Sequence, residues 1–339
     1  MQDLKYINPL ILLLFLISSC QVDQKRIQKQ GYIFSVKGRL PIDSLNFTLI
    51  HEHIMSNFGA ESAYFPDYDS VLLFKQVVPY LKKIKSQGVH TIFDCTTAYF
   101  GRDVNILKSL SDSIGINIIT NTGFYGAADD RYVPMDVHNV GEEQIAEIWI
   151  AEFESGIDQT GIKPGFIKLA FDDGAPSAID LKLFKAGIIT HLRTGLTMAV
   201  HTGNNPEASM AQLTLLKDFN VDPSAWIWVH AHHVDDQQLL FEAASKGAWI
   251  SLDGVNEFNI DDFIAKIEAF KKQKLLHKIL LSHDGDSFPI DGEIRKYEAI
   301  KGHLIPALLK SGYTDEEINQ LMIINPQEAF SIKVRDGNV

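Results

Sequence analysis

From residue 47 onward the chain alternates short runs of apolar and β-branched residues with longer segments in which apolar residues return every third or fourth position. That alternation is expected of repeated strand–helix units. Eight runs have strand character: residues 47–51, 89–95, 116–121, 165–170, 197–201, 226–230, 248–253 and 278–283. Between the first two, Phe74, Val77, Val78, Leu81 and Ile84 repeat at helical spacing, and Gly88 can close that helix in the left-handed conformation. Asn205-Pro206 offers a cap and a first-turn proline for another helix, with Met210, Leu213 and Leu216 expected along one face. Thr314 and Glu317 are spaced as a capping box. No linker rich in Pro, Gly or Ser divides residues 47–330. Eight units in one uninterrupted stretch predict a single-domain (β/α)8 barrel, an α/β TIM barrel, rather than an open doubly wound sheet.

The first residues follow a different pattern. An apolar run over residues 9–17 is too short to span a bilayer, and Ser18-Ser19 precede Cys20. Ile17-Ser18-Ser19-Cys20 resembles the lipobox of a bacterial lipoprotein. Residues 1–19 are therefore expected to be a signal peptide, Cys20 the lipid-bearing first residue of the mature chain, residues 20–31 a polar tether, and residues 32–335 the barrel. An exported protein held to a bacterial membrane only through that lipid is the expected localisation. With Cys20 acylated, Cys95 is left as a lone thiol, so the fold has no intrachain disulfide to lean on.

Composition narrows the class of partner. Hydrophobic residues make up 45% of the 339 and charged residues 22%, the balance of a globular chain with a large core. The net charge of -12, with no stripe of Lys and Arg, argues against a nucleic-acid surface and leaves small molecules as the expected partners.

The chemistry-bearing residues cluster at strand ends. In Leu49-Ile50-His51-Glu52-His53 the two histidines are two apart, so both imidazoles leave the strand on one side. His201 and His230 close the fifth and sixth runs, and Asp284 follows the eighth. In a barrel those ends converge on one face, where His51, His53, His201, His230 and Asp284 can share metal ions. Lys168 lies inside an apolar strand, where a free ammonium is costly. Its ammonium either reaches a carboxylate at the mouth, or the lysine is carboxylated and bridges two metals.

Val36-Lys37-Gly38, Thr96-Thr97, Gly101-Arg102-Asp103, Thr122-Gly123-Phe124-Tyr125, Ile167-Lys168, Val200-His201-Thr202, Ser282-His283-Asp284 and Asn325-Pro326 complete an ordered set of motifs over residues 33–330. The set resembles the phosphotriesterase family of the amidohydrolase superfamily. The resemblance implies that His51, His53 and Asp284 hold a more buried divalent ion, His201 and His230 a more exposed one, and that N6-carboxylated Lys168 joins both. It implies hydrolysis by a hydroxide bridging the two ions, with Asp284 taking the proton. Zinc is the default for such a ligand set, though manganese, cobalt and iron suit it too.

Against the family pattern, Gly254 stands where organophosphate-degrading members carry a histidine, and the nearby arginine typical of lactonase-like members is missing. His232 and His233 take places often acidic in the family and are expected to be solvent-exposed. A small-molecule carboxylic ester or lactone is the expected substrate, with Tyr125 lining its subsite. A phosphotriester hydrolase and an inactive binding lipoprotein are the alternatives, and a homodimer is compatible with either.

One consequence is testable on the chain as a whole. Cys20→Ala is expected to leave the enzyme folded and active but to move it from the membrane to the soluble fraction on fractionation. A variant that stays with the membrane would point to a retained apolar helix instead.

Overall fold

A computed structural model of the chain describes residues 31–57, 68–290 and 292–337. The expected signal peptide and most of the polar tether, including Cys20, lie outside the described residues. Among the described residues no helix is long and apolar enough to cross a membrane.

The eight strand runs form the (β/α)8 barrel. In chain order the strands are β1 (Thr48–His53), β2 (Thr91–Asp94), β3 (Asn117–Ile119, continued by Asn121–Thr122), β4 (Phe166–Ala170), β5 (Met198–His201), β6 (Trp226–Val229), β7 (Trp249–Leu252) and β8 (Ile279–Leu281, continued by Gly285–Asp286). Each pairs in parallel with its neighbours around the circuit. β3 hands over from β2 to β4 across its interruption at Thr120, with Asn121–Thr122 pairing Phe166–Ile167. The seam between β8 and β1 is closed by Gly285 and Asp286 opposite Glu52 and His53. Side chains reinforce it, since the His51 amide donates to Ser282 Oγ at 2.9 Å and the Asp284 amide to the His51 carbonyl at 3.1 Å.

The helices α1 (Ser70–Ser86), α2 (Val104–Ile114), α3 (Glu142–Ser155), α4 (Ala178–Thr194), α5 (Pro206–Asp218), α6 (Gln237–Ser245) and α7 (Ile260–Lys272) follow the first seven strands. α1 buries Leu73, Val77, Leu81 and Ile84 at helical spacing and is followed by Gly88 at φ +88°. The capping box at Thr314 is present. α5 starts as expected, with Asn205 accepting from the Ala208 amide, but its buried face differs. Met210 is exposed and Leu213 only half-buried, while Ala208, Ser209, Gln212 and Leu216 face inward. Small residues let the helix lie close, and Gln212 reaches Thr202 Oγ1 at 3.1 Å, an attraction that apolar spacing does not reveal.

The barrel is a packed core with its site above a floor. Phe93, Phe166 and Phe330 meet below, with Phe93 and Phe330 ring centroids 4.2 Å apart. Phe166 lies two residues before Lys168 on one strand, so the aromatic floor lies directly beneath the lysine layer. Phe330 comes from the last helix, Asn325–Phe330, whose Asn325 side chain donates to the carbonyls of Leu276 and Ile279 and ties that helix to the start of β8. A hairpin of Tyr32–Ser35 and Gly38–Pro41 adjoins the same end, through the Val36 amide to the Ile118 carbonyl. Cys95 is a free, buried thiol.

The β8–β1 seam depends on a buried carboxylate. Glu52 accepts from the Ser282 hydroxyl at 2.8 Å, the His283 amide at 3.2 Å, His283 Nδ1 at 2.7 Å and the Gly285 amide at 2.8 Å. His283 in turn takes the Ile300 amide on Nε2 at 3.1 Å, joining the seam to the helical turn at Ile300–Leu304. Glu52→Gln places an amide donor among donors and is expected to cost about 3 kcal/mol. A urea-denaturation midpoint equal to wild type would show that the seam does not depend on this carboxylate.

Candidate metal centre

His51 and His53 leave β1 on the barrel side, and both are buried. The groups behind each ring fix which nitrogen is bare. His51 Nδ1 lies 2.9 Å from Asp253 Oδ2, and an ionised carboxylate only accepts, so the proton is on Nδ1 and the lone pair on Nε2. His53 Nδ1 lies 2.8 Å from Thr96 Oγ1, whose own proton goes to the Met55 carbonyl at 2.8 Å. His53 must donate as well, which bares its Nε2. Asp284 Oδ1 stands 3.3 Å from each of those two Nε2 atoms. Three electron-rich atoms face one another with no proton between them, an arrangement that a cation relieves. The donor set fits a divalent metal.

The other expected ligands surround this trio. Lys168 is buried within β4, its Nζ 3.5 Å from His51 Nε2. His230 lies one residue beyond β6 in the left-handed conformation, φ +60°, and Asp284, three residues beyond the first run of β8, is left-handed as well at φ +53°. Non-glycine residues seldom occupy that region, and when they do the strain tends to mark functional sites. This corrects the expected strand ends at 230 and 283: β6 stops at Val229 and the first run of β8 at Leu281, because the chain must turn to aim these side chains inward. The His230 ring packs against His51 at 5.0 Å and His201 at 4.4 Å between centroids. His201 is committed elsewhere on one side, with Nδ1 3.1 Å from the Tyr125 hydroxyl. Tyr125 must let go before that nitrogen can take an ion.

Electrostatics agree with this geometry. Burial, with Lys168 nearby, holds the His51 pKa down to about 3, so the ring is neutral. His201 is also pushed well below its ordinary value by burial and by His230. Burial disfavours the Asp284 carboxylate, but attraction to His51 and His53 in their protonated forms outweighs it and holds the group well below the usual range, so it is already ionised when the His51 ring becomes neutral. Burial raises the Tyr125 phenol and keeps it protonated. At neutral pH the site therefore presents bare imidazole nitrogens and an ionised Asp284.

Asp253 is the functional residue that strand-end spacing missed. It is fully buried, and its oxygens meet Nδ1 of His51 at 2.9 Å and of His230 at 3.0 Å, with the Ser251 hydroxyl at 2.6 Å. Although near enough to two histidines to count as a ligand, it faces their protonated nitrogens and so orients them from behind. Its only sequence signal was an aspartate just past β7, in register with the other strand-end residues. Gly123, at φ +112°, also belongs to the site, because a Cβ there would overlap the Lys168 carbonyl and push β3 off β4.

His232 corrects an expectation. It is not solvent-exposed: its ring lies against Gly254, where a Cβ would overlap it, and its Nδ1 is 3.2 Å from Asp253 Oδ1. The missing side chain at 254 is the space this ring fills. His233 is exposed and packs on His232 at 3.9 Å. Both border a cavity of about 460 Å³ over the centre, with His201, His230, Asp284 and Arg295.

Residues 32–330 match the family model described as the phosphotriesterase family. An aryldialkylphosphatase from Saccharolobus solfataricus is 27% identical, across 87% of this chain and 98% of its own length. A phosphotriesterase homology protein from Escherichia coli is 25% identical across 86% of this chain and all of its own. An N-acetyltaurine hydrolase from Xenopus tropicalis is 24% identical across 89% of this chain and 99% of its own.

Because one carboxylate orients His51 and His230 together, Asp253→Asn is expected to weaken metal binding at both positions. Metal analysis should give close to two ions per wild-type chain and clearly fewer in the variant, with affinity down about 10–100-fold. Equal metal content and affinity in the two proteins would remove Asp253 from the site.

Proposed function

Because the chain belongs to the phosphotriesterase family of metal-dependent hydrolases, we propose that it hydrolyses a small carboxylic ester or lactone at a binuclear centre. In this reading His51, His53 and Asp284 would hold one divalent ion and His201 and His230 a second, with carboxylated Lys168 supplying an anionic oxygen to each. Zinc is the first choice of metal. When bound, such ions supply hydroxide near neutral pH and polarise the substrate's carbonyl oxygen.

The chain's own residues do the rest. Asp253 and Thr96 keep the ligand rings aimed, and the depressed pKa of Asp284 leaves it ionised to accept the proton of the attacking water at its carboxylate. In this reading Tyr125, whose hydroxyl lies 3.1 Å from His201 Nδ1 and whose ring stacks at 5.1 Å on Phe100, would donate to a substrate oxygen on releasing His201.

The observation that carries the choice of substrate is the polarity of the cavity. Among the described residues its walls are imidazoles, carboxylates, Asn204, Arg295 and glycines, with no large apolar side chain. A phosphotriester presents three ester groups, commonly apolar, that need apolar subsites, whereas a small acyl compound does not. Cleavage of an amide is the second reading, favoured by the relatives named N-acetyltaurine hydrolases.

Lys168 gives the sharpest check. Lys168→Ala is expected to lose most activity toward esters and lactones and to regain part of it with added acetate or propionate, which can occupy the vacated bridge. The same assay run with amides and phosphotriesters ranks the substrate classes. Full activity in Lys168→Ala without added acid would sink the carbamate, and faster turnover of phosphotriesters than of any acyl compound would sink the ester reading.

A further inference from the structure

We propose that the end of the barrel opposite the metal centre docks onto anionic lipid headgroups, through a surface centred on the hairpin at residues 32–41, so that the cavity faces away from the membrane. The inference rests on the lipid anchor expected at Cys20 only for holding this surface close to a bilayer, and the two can fail separately.

The chain enters the barrel at this end. The Gly31 carbonyl accepts the Ile42 amide at 3.3 Å, and a Cβ at Gly31 would strike Ser331, the residue after the floor phenylalanine Phe330. The hairpin that follows lies against the amino ends of β3 and β4. The Val36 amide donates to the Ile118 carbonyl at 2.9 Å, and a Cβ at Gly165 would crowd the Phe34 carbonyl. The ligand residues stand at the carboxyl ends, so entry and cavity are at opposite ends of the barrel. Residues 20–30 span at most about 40 Å when fully extended. An anchor at Cys20 therefore brings the hairpin end to the lipid before the mouth.

The chemistry of that end suits such a neighbour. Lys37 and Arg39 are exposed on the hairpin, and Lys85 is exposed beside it with Nζ on the Ile114 carbonyl at 2.7 Å. Arg39 lies over the Tyr32 ring at 3.8 Å, Lys163 over Phe34 at 5.3 Å and Lys301 over Phe47 at 3.6 Å. Among the described residues none of these five cations is in an ion pair, and three rest on ring faces instead. The acids at the same end are Asp43 and Glu154, both exposed, and Asp112, which pairs with Lys108 at 2.6 Å. The surface is thus cationic in a chain of net charge -12. The mouth is the reverse, with Asp129, Asp173, Asp235, Asp236 and Glu257 exposed on the loops after β3, β4, β6 and β7. Half-buried rings and basic side chains are what the headgroup layer of an anionic bilayer attracts, and the same layer repels an acidic mouth.

The test puts a nitroxide at either end of the full-length chain, reconstituted in vesicles of phosphatidylcholine alone or mixed about 3:1 with phosphatidylglycerol. Asp43→Cys carries the label at the docking end and Phe258→Cys, 90% exposed at the mouth, carries it at the other. Cys95 is buried, and in the anchored chain the lipid blocks Cys20. Collisions of the label at 43 with a neutral nickel chelate are expected to fall about 3-fold or more when phosphatidylglycerol is present and to recover in about 0.5 M salt, while the label at 258 is unaffected. Lys37→Glu, Arg39→Glu and Lys163→Glu together should abolish the fall. If the change at 163 disturbs its ring contacts, the exposed pair Lys37→Glu and Arg39→Glu should still reduce it. Equal collision rates at 43 in the two vesicles, or a fall at 258 instead, would overturn the proposal. So would a fall that survives the charge reversals, which would assign the attraction to Lys25, Arg26 and Lys29 of the tether. If wild type stays with neither vesicle on flotation, the anchoring reading fails by itself. Flotation of the free chain with phosphatidylglycerol vesicles at low salt then decides, supporting the surface if the triple variant floats about 10-fold less and overturning it if wild type does not float or the two float equally.

Discussion

The site depends on one buried carboxylate. Asp253 is removed from water entirely and grips the Nδ1 protons of His51 and His230, two rings that come from strands β1 and β6 on different sides of the barrel. A charge so buried is stable only while its partners surround it, and the partners keep their tautomers only while it stays charged. The attraction therefore runs both ways. His230 and His51 hold the Asp253 carboxyl well below its usual range against the burial that would raise it. Thr96 performs the same service for His53 with a neutral hydroxyl. Once those rings are fixed, the bare Nε2 atoms and Asp284 have little choice of direction.

Around that constraint the barrel supplies rigidity at the places where the ligands leave it. His230 and Asp284 both sit in backbone conformations that a strand would not adopt, and each is held there by neighbours. The Asp253 carboxylate receives the His230 amide at 3.3 Å, and the His51 carbonyl receives the Asp284 amide at 3.1 Å. Local strain of this kind persists only when the surrounding fold over-determines it. The Glu52 and Ser282 contacts at the closing seam provide that surplus, and they explain why Ser282-His283-Asp284 is not a catalytic triad. Ser282 and His283 bind Glu52 and build the seam, so the His283 ring is committed to Glu52 and the Ile300 amide and not to Asp284.

Much of this was legible in the chain. All eight strand runs could be placed from apolar, β-branched stretches between helical segments, because parallel strands buried on both faces leave that mark. The histidine pair two apart in β1 and the chemistry at the ends of the fifth, sixth and eighth runs followed from alternation and from the barrel's open end. The runs were read one or two residues too long where the chain stops pairing in order to turn, as at His230 and His283, since a turn forced by a distant partner has no local signal. Asp253 was passed over for a related reason: an orienting carboxylate resembles any other aspartate until its partners are known. The burial of Gln212 in place of Met210, and of His232, also arose from tertiary contacts that periodicity does not carry.

The fit between His232 and Gly254 bears on how such a cavity can change over generations. The ring occupies the volume that any side chain at 254 would need, and it stands within reach of the carboxylate that orients the centre. A single change at 254 evicts the ring toward a site whose alignment it adjoins, and a single loss of the ring opens a void beside Asp253. Neither step alone retains the packing of the start or reaches that of the alternative. The two positions are therefore coupled through packing: a side chain gained at 254 requires the His232 ring to turn away, and loss of the ring leaves space that only a larger residue at 254 could fill.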